Sequence, residues 1–461
     1  MSPTARTFHI ENLGCAKNQV DAEVMIAALE RSGWTLAEAP EDAEVLIVNT
    51  CGFIDAARRE SIDTGFALRA RFPERRLFLV GCLTERYAGE LAAEMPEIDG
   101  FLGNRDPSRI VDLVEGRIPE QGRAGRGGAD PAPGSSSPTA RPAPRRGHLL
   151  SYPGSAYLKV AEGCANRCSY CAIPLIRGDL ASRPRADVVD EARGLLASGA
   201  RELILIAQDL GSYGLDRGAA ELPALLADLS ALPGRFWVRL LYVHPDHFPP
   251  DVLPIMRDDP RFLPYLDVPF QHASPSILAA MGRKADPEAN LRLVERIRAA
   301  LPGAVLRSTF LVGFPGETDR DAALLARFQE EAALDWVGVF TYSREEGTRA
   351  HELPGRVTRR VADARRAAVE ERQVPITWRR LDRHLGEELD VLVEERVEGE
   401  ELSIGRAYLQ APDVDGLTVV RAACAPGSLV RIRVDRRNGF DLEGGAVAQA
   451  AARNAARPAP A

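Results

Sequence analysis

The sequence predicts an α/β protein of three parts: an N-terminal parallel α/β domain, a central partial (βα)6 barrel and a small C-terminal antiparallel β-barrel. Three observations carry this reading. Short apolar strands alternate with amphipathic helices through the first two parts. A Pro-, Gly- and Arg-rich stretch separates those parts. Beyond residue 385 the pattern changes to short β segments divided by Gly and Pro turns.

The first part spans 5–116. Strands are predicted at 7–12, 45–49 and 77–80, with helices over 18–32, from Asp55, and after the third strand. Such alternation implies a parallel sheet covered on both faces. Cys15, Cys51 and Cys82 each fall at or just beyond the carboxyl end of a strand. Ligands of open α/β sheets sit outside those ends. One cysteine there would read as a small buried hydrophobe; three of three predict a shared metal site.

Residues 117–153 are expected to form a flexible basic linker. Residues 117–147 hold six Pro, six Gly and six Arg, with Ile118 the only large aliphatic side chain. Such a segment buries too little to offset its ordering entropy.

The central part spans 154–384, with strands predicted at 157–161, 202–207, 237–242, 265–268, 305–312 and 336–342. Helical patterns at 187–198, 287–300 and 319–333 fill gaps between them. Six βα units predict a partial barrel whose chemistry lies at the C-terminal strand ends. A doubly wound open sheet is the alternative topology. Residues 356–384 read as an arginine-rich helix that Pro375 should end or kink. The last part, 385–446, carries β segments at 389–393, 402–409, 417–420 and 429–434, and 447–461 is expected to be a disordered tail.

A length of 461 residues, 45% of them hydrophobic and 27% charged, suits about three globular units. No apolar run approaches the ~20 residues of a membrane helix, and the N-terminus has no secretory pattern. A cytoplasmic protein is expected. The net charge of −8 gives no whole-chain sign of nucleic-acid binding. In a reducing compartment the seven cysteines point to metal or catalysis rather than disulfides.

The strongest chemical signal is Gly-Cys164-Ala-Asn-Arg-Cys168-Ser-Tyr-Cys171, just past the first barrel strand. Three soft thiolates in one loop can hold three corners of a [4Fe–4S] cluster. The fourth iron is then open to a chelator such as the amino and carboxylate groups of S-adenosylmethionine. A zinc site or a redox pair is the alternative, but no further His or Cys lies within ten residues to complete a zinc tetrad.

This triplet resembles the signature of the radical S-adenosylmethionine superfamily. Apart from linker and tail, the chain resembles its methylthiotransferases. Asn-Leu-Gly-Cys15-Ala-Lys-Asn-Gln-Val-Asp, Val-Asn-Thr-Cys51-Gly-Phe-Ile and Val-Gly-Cys82 match the first domain of that family. The resemblance implies an auxiliary [4Fe–4S] cluster on Cys15, Cys51 and Cys82, a radical S-adenosylmethionine cluster on Cys164, Cys168 and Cys171, and a C-terminal TRAM domain. One branch of the family modifies an adenosine of transfer RNA. The other modifies the β-carbon of an aspartate in the twelfth protein of the small ribosomal subunit. Arg177-Gly-Asp-Leu-Ala-Ser-Arg-Pro184, Tyr265-Leu-Asp-Val-Pro-Phe-Gln-His-Ala-Ser274 and Ala411-Pro-Asp-Val-Asp-Gly416 resemble the second branch. That branch implies a low-potential electron donor, a sulfur source, and neither a membrane nor a nucleic-acid substrate.

Charge independently favours a protein substrate. Residues 387–443 contain seven Arg, no Lys and thirteen Asp plus Glu, a formal charge of −6. An acidic barrel repels RNA phosphates and attracts a basic ribosomal protein; the arginines of 356–383 count the other way. Tyr170, placed to stack on adenine, and Gln208, Arg307, Gly313 and Glu317, at the functional rim, are the expected contacts to S-adenosylmethionine. His244, His247 and His272 read as hydrogen-bonded structural groups, and Cys424 as an unliganded thiol. No catalytic residue is expected beyond the cluster ligands. An iron–sulfur electron carrier is the non-enzyme alternative, but it would need neither six βα units nor an appended barrel.

Overall fold

The computed structural model describes residues 6–118, 146–284 and 286–447. In the first domain β1 (Thr7–Asn12), β2 (Thr35–Leu36), β3 (Val45–Thr50), β4 (Arg76–Gly81) and β5 (Gly100–Leu102) form a parallel sheet in the order β2-β1-β3-β4-β5. Every residue of β3 is buried, because helices cover both faces. Phe8, Ile47 and Phe78 fill one face, and Leu46, Val48 and Leu79 the other. The strand order reverses between β1 and β3, which opens a crevice beyond their carboxyl ends. Helices α1 (Ala16–Arg31), α2 (Asp55–Arg71) and α3 (Cys82–Glu94) follow β1, β3 and β4. The edge strands β2 and β5, two and three residues long, are too short to show a period in the sequence.

The central domain contains β6 (Ser155–Lys159), β7 (Ala161–Glu162), β8 (Ala181–Ser182), β9 (Glu202–Ile206), β10 (Trp237–Leu240), β11 (Phe262–Asp267), β12 (Val305–Val312) and β13 (Trp336–Thr341). β7 and β8 pair with each other and bracket the cysteine loop. The other six form one parallel sheet in strict chain order, β6 to β13. That order has no reversal, so the partial barrel holds and the doubly wound alternative does not. Leu203, Leu205, Val238 and Leu266 pack outward against the helices. Tyr157, Ile204, Trp237 and Tyr265 face inward and join a separate apolar cluster with Val391 and Ile432 of the last domain.

That domain is a closed barrel of β14 (Glu388–Arg396), β15 (Ser403–Ala407), β16 (Thr418–Arg421), β17 (Leu429–Asn438) and β18 (Asp441–Ala446), in the order β14-β15-β16-β18-β17. Its pairs are antiparallel except β16 with β18. It seals the N-terminal end of the six-stranded sheet. Arg406 donates to Glu202 (2.7 Å) and Ser155 (3.0 Å), at the starts of β9 and β6. Arg239 donates to Glu202 (2.7 Å) and to the Tyr408 carbonyl (2.9 Å). Trp336 at the start of β13 donates to the Leu409 carbonyl (2.7 Å).

Two expectations need correction. The helix Arg359–Leu381 runs through Pro375 without ending. Gln373 and Thr377, on either side, donate to the carbonyls of Leu334 (2.9 Å) and Asp335 (2.7 Å), and these buried bonds hold the helix where the proline removes a backbone bond. Of the expected flexible linker, 119–145 lie outside the described residues, as do 448–461 of the expected tail. Its last part, 146–153, is packed. The Arg146 side chain is 1% exposed and pairs with Glu23 of α1 and Glu191 (2.6 Å). Composition gave no sign that this one arginine meets two buried carboxylates.

The barrel contact has a pH signature. Burial opposes ionisation of Glu202, yet Arg406 and Arg239 hold its carboxyl down to about 2. The folded chain then binds fewer protons than the unfolded one between pH ~4.5 and ~2. Stability from this group is present above that window and lost as pH falls through it. Glu202→Gln is expected to flatten this acid step and to cost ~3–5 kcal/mol at neutral pH, because two buried arginines lose their charge partner. Hydrogen exchange in β14 across a pH series checks this; an unchanged acid step would show that other carboxylates govern docking.

Candidate functional site

The N-terminal cysteines are brought together by glycines. Gly14 (φ +94°) precedes Cys15, and a Cβ there would lie 2.9 Å from the Cys51 Cβ. Gly52 follows Cys51, and a Cβ there would lie 2.8 Å from the Cys82 carbonyl oxygen. Cys15 caps α1, Cys51 follows β3 and Cys82 opens α3. All three thus stand at the carboxyl edge of the sheet, with Cys15 and Cys51 on the two strands that flank the order reversal.

Their surroundings act differently on the three thiols. Cys15 keeps an exposed surface; the protein crowded around it opposes ionisation, but the charges of Lys17 and Arg177 and the N–H groups of Asn18 and Lys17 bring its thiol below the usual value. Burial pushes Cys51 up and Cys82 up to about 12, with Arg177 pulling against both shifts. The Cys82 sulfur accepts from Asn104 (3.3 Å) and Arg177 (3.3 Å) and faces the Asn18 side-chain oxygen at 3.0 Å.

Cys164, Cys168 and Cys171 lie in the loop between β7 and the short helix Ile173–Arg177. Gly163 (φ +64°) lets this loop pass the Asp179 carbonyl, where a Cβ would lie 2.0 Å away. Ser169 donates to the Met281 carbonyl (2.9 Å) and accepts from the Ala350 amide (2.8 Å), which ties the loop to the sheet rim. The Asn166 side chain donates to Asp209 (2.9 Å). Asp209 also accepts from Ser212 (2.5 Å), His247 (2.9 Å) and the amides of Gly211 (3.0 Å) and His244 (3.1 Å). Burial pushes the Cys171 thiol up to about 12.

The two triads meet. Ala172 and Ile176, just past Cys171, pack directly on Cys82. Arg177, its side chain 1% exposed, reaches back to Asp21 (2.9 Å) and Asn18 (2.7 Å) of α1 and to Glu162 (2.7 Å). Lys159 pairs with the same two carboxylates at 2.5 and 2.7 Å.

The donor sets fit iron–sulfur clusters better than single ions. Zinc at ~2.3 Å from each thiolate would draw its sulfurs to roughly 4 Å from one another. Among the described residues, the only three ligand-type side chains whose donor atoms all come within 4.8 Å are Asp209, His244 and His247. In each triad at least one pair of sulfurs therefore lies further apart than 4.8 Å, which does not suit one zinc held by all three. Asp209, through Asn166, supports the cysteine loop, while the His244 Nε2 is buried without a hydrogen-bond partner among the described residues. His272 is buried and accepts from the Ser274 amide (2.9 Å). Cys424 packs against the apolar cluster of the C-terminal barrel, apart from both triads.

The other candidates divide. Tyr170 is half-buried between two cysteines, and its hydroxyl accepts from Arg283 (3.1 Å). The Gln208 amide nitrogen, past β9, is buried without a hydrogen-bond partner among the described residues, as suits a ligand contact. Arg307 lies on the inner face, 3.6 Å from Asp267 and 3.4 Å from Asp415, so carboxylates already match its charge. Glu317 accepts from the amides of Gly313 and Phe314 and thereby holds its own turn. Sequence reasoning missed Lys17, Asn18, Asp21, Arg177, Asp209 and Arg283. Asn18 and Asp21 were legible as one face of α1 at i, i+3 spacing; the rest come from distant segments. A cavity of about 340 Å³ between Gln19, Tyr152, Tyr157, Ile204 and Asp413 is lined by none of the cysteines.

Asp209→Asn turns an acceptor of five hydrogen bonds into a partial donor and is expected to cost ~1–3 kcal/mol locally. Hydrogen exchange over 164–171 should rise; unchanged protection would mean that the backbone bonds of Ser169 hold the loop alone.

Residues 7–103 match Uncharacterized protein family UPF0004, residues 158–328 the Radical SAM superfamily, and residues 385–447 the TRAM domain. The chain is 41% identical to the ribosomal protein uS12 methylthiotransferase RimO of Treponema denticola, over 94% of this chain and 99% of that one. It is 43% identical to the protein of that name from Desulfosudis oleivorans, over 95% and 99%. Among solved structures, it resembles the radical S-adenosylmethionine methyltransferase TsrM from Kitasatospora setae, with a TM-score of 0.56 at 16% identity over 75% of this chain and 77% of that one. That likeness concerns the fold alone.

Proposed function

The chain belongs to the ribosomal protein uS12 methylthiotransferase RimO family, and on that premise we propose that it adds a methylthio group to the β-carbon of an aspartate of uS12, in the cytoplasm. The observation that carries this reading is the meeting of two thiol triads at one place through Ala172, Ile176 and Arg177. Cys15, Cys51 and Cys82 would hold an auxiliary [4Fe–4S] cluster, and Cys164, Cys168 and Cys171 the cluster that binds S-adenosylmethionine. Bound there, these groups supply hydrogen-atom abstraction at the substrate carbon, and sulfur and methyl for transfer. The protein's own part is to fix both sites and exclude water. Tyr170 and Gln208 would contact S-adenosylmethionine; Gly313, Glu317 and Arg307 would shape the wall behind it. A low-potential electron donor and a sulfur source must come from outside the chain.

The barrel would dock uS12 through the hairpin between β14 and β15. Most of its acids are already paired: Glu388 and Asp390 with Arg431, Glu443 and Asp435 with Arg421, and Glu394 with Arg406. Glu395, Glu398, Glu400 and Glu401 are exposed, with no ion-pair partner among the described residues. They form an acidic tip suited to a basic protein. The transfer-RNA reading would need a free basic face. The arginines of the helix Arg359–Leu381 instead largely pair with carboxylates, as Arg365 does with Asp319 (2.8 Å), Arg380 with Asp335 (2.5 Å) and Arg359 with Asp363 (3.0 Å).

Anaerobically reconstituted protein is expected to carry about eight irons, and each cysteine-triad variant, all three changed to Ala, about half. Full iron in either variant would overturn the ligand assignment. Intact-mass measurement of uS12 and nucleoside analysis of transfer RNA from a deletion strain test the substrate. Loss of methylthioadenosine, with the uS12 mass the same as in the parent strain, would reverse the choice of branch.

Charge reversal at the tip, Glu395→Lys with Glu398→Lys and Glu400→Lys, is expected to slow uS12 association at low salt and to matter less as salt rises. A salt-independent loss would point to misfolding rather than electrostatics. Glu394 is left out, since its partner Arg406 holds the barrel in place.

A further inference from the structure

Helix α1 delivers one buried cation that makes no direct ion pair among the described residues, although the Asp267 and Glu162 carboxylates lie within electrostatic reach. Lys17 is 6% exposed, and its ammonium lies 3.4 Å from the centroid of the Tyr242 ring. The other cations of this chamber each meet carboxylates: Lys159 and Arg177 meet Asp21 and Glu162, and Arg307 meets Asp267 and Asp415. No ion pair or side-chain hydrogen bond joins Lys17 to any described residue. An aromatic face replaces only part of the hydration that a buried ammonium loses.

The position of this cation is specific. It stands between the Cys15 thiol and the inner face of the sheet, where Tyr242 lies two residues past β10 and Asp267 ends β11. Asp267 has an oxygen without a hydrogen-bond partner. Tyr242 holds a positive φ of 62°, a strained conformation for an aromatic residue, and its carbonyl accepts from the Leu210 amide (2.9 Å). The strain presents its ring beneath the ammonium. An aspartate modified at its β-carbon carries its carboxylate on the adjacent atom. A cation that grips that carboxylate therefore fixes the reacting carbon.

Resting on the uS12 reading above, we propose that Lys17 is the specificity-determining cation that binds the carboxylate of the substrate aspartate beside the Cys15 site. An adenosine offers no such group, so the same residue would discriminate between substrate classes. The competing role, offsetting the charge of a cluster on Cys15, makes a different prediction.

The test uses full-length reconstituted protein and purified uS12 carrying either the native aspartate or asparagine at the modified position. The unaltered enzyme is expected to bind the aspartate form about tenfold more tightly than the asparagine form. Lys17→Met should abolish that preference by weakening the aspartate form alone, and Lys17→Arg should keep part of it. Iron content and the electron paramagnetic resonance of both clusters should stay as in the unaltered protein. Retained preference in Lys17→Met overturns the proposal. So does loss of iron from the N-terminal site with the preference intact in the loaded fraction, which would assign Lys17 to the cluster. Equal binding of both uS12 forms by an enzyme that still methylthiolates overturns Lys17 alone. Absence of any uS12 binding overturns the functional reading with it.

Discussion

Everything the site can do depends on a buried ionic lattice centred on Arg177. Its guanidinium spans Asp21 and Asn18 of the first domain, Glu162 of the second and the Cys82 sulfur. Lys159 bridges the same two carboxylates. Desolvation offsets much of the attraction in such lattices, so their net stabilisation is modest. Removing one member is costly, because its partners stay buried and uncompensated. The lattice thus enforces one geometry between two domains. Two loops that would otherwise belong to separate units become walls of one chamber.

A second lattice works at the opposite end. Glu202, fully buried, takes Arg239 from its own sheet and Arg406 from the C-terminal barrel. Asp415 of the same domain reaches further in, accepting from the Tyr265 hydroxyl at 2.6 Å beside Arg307. The C-terminal end of the six-stranded sheet is closed by α1 and the cysteine loops, and the N-terminal end by the barrel. Arg146 fixes the approach of the first domain along the side. Charged residues make these closures because each must choose one docking partner, which apolar contact alone does not specify.

This use of charge changes the meaning of composition. The C-terminal domain is acidic in sum, but many of its carboxylates are consumed by neighbouring arginines or by docking. The free negative charge concentrates at one hairpin. The arginine-rich helix is likewise mostly neutralised. Whole-segment charge is a fair guide to the sign of a surface and a poor guide to its location.

The sequence by itself determined the α/β class, the strict succession of six βα units, the closing small barrel and the two cysteine triads. Each rests on local chemistry: period-2 and helical apolar patterns, glycines beside cysteines, and three thiols within one loop. Only the tertiary structure decided the rest. The strand order β2-β1-β3-β4-β5 places Cys15 and Cys51 beside one crevice, and pairing order is a non-local property. Pro375 sits inside a helix because Gln373 and Thr377 find carbonyls on another segment. Arg146 is fixed rather than mobile because two distant glutamates receive it. Arg307 is the third residue of β12 and Gly313 follows its end, and the charges of Arg307 and Glu317 are spent within the protein. The identity of a residue fixes what it can bind; which partner reaches it first depends on the folded chain.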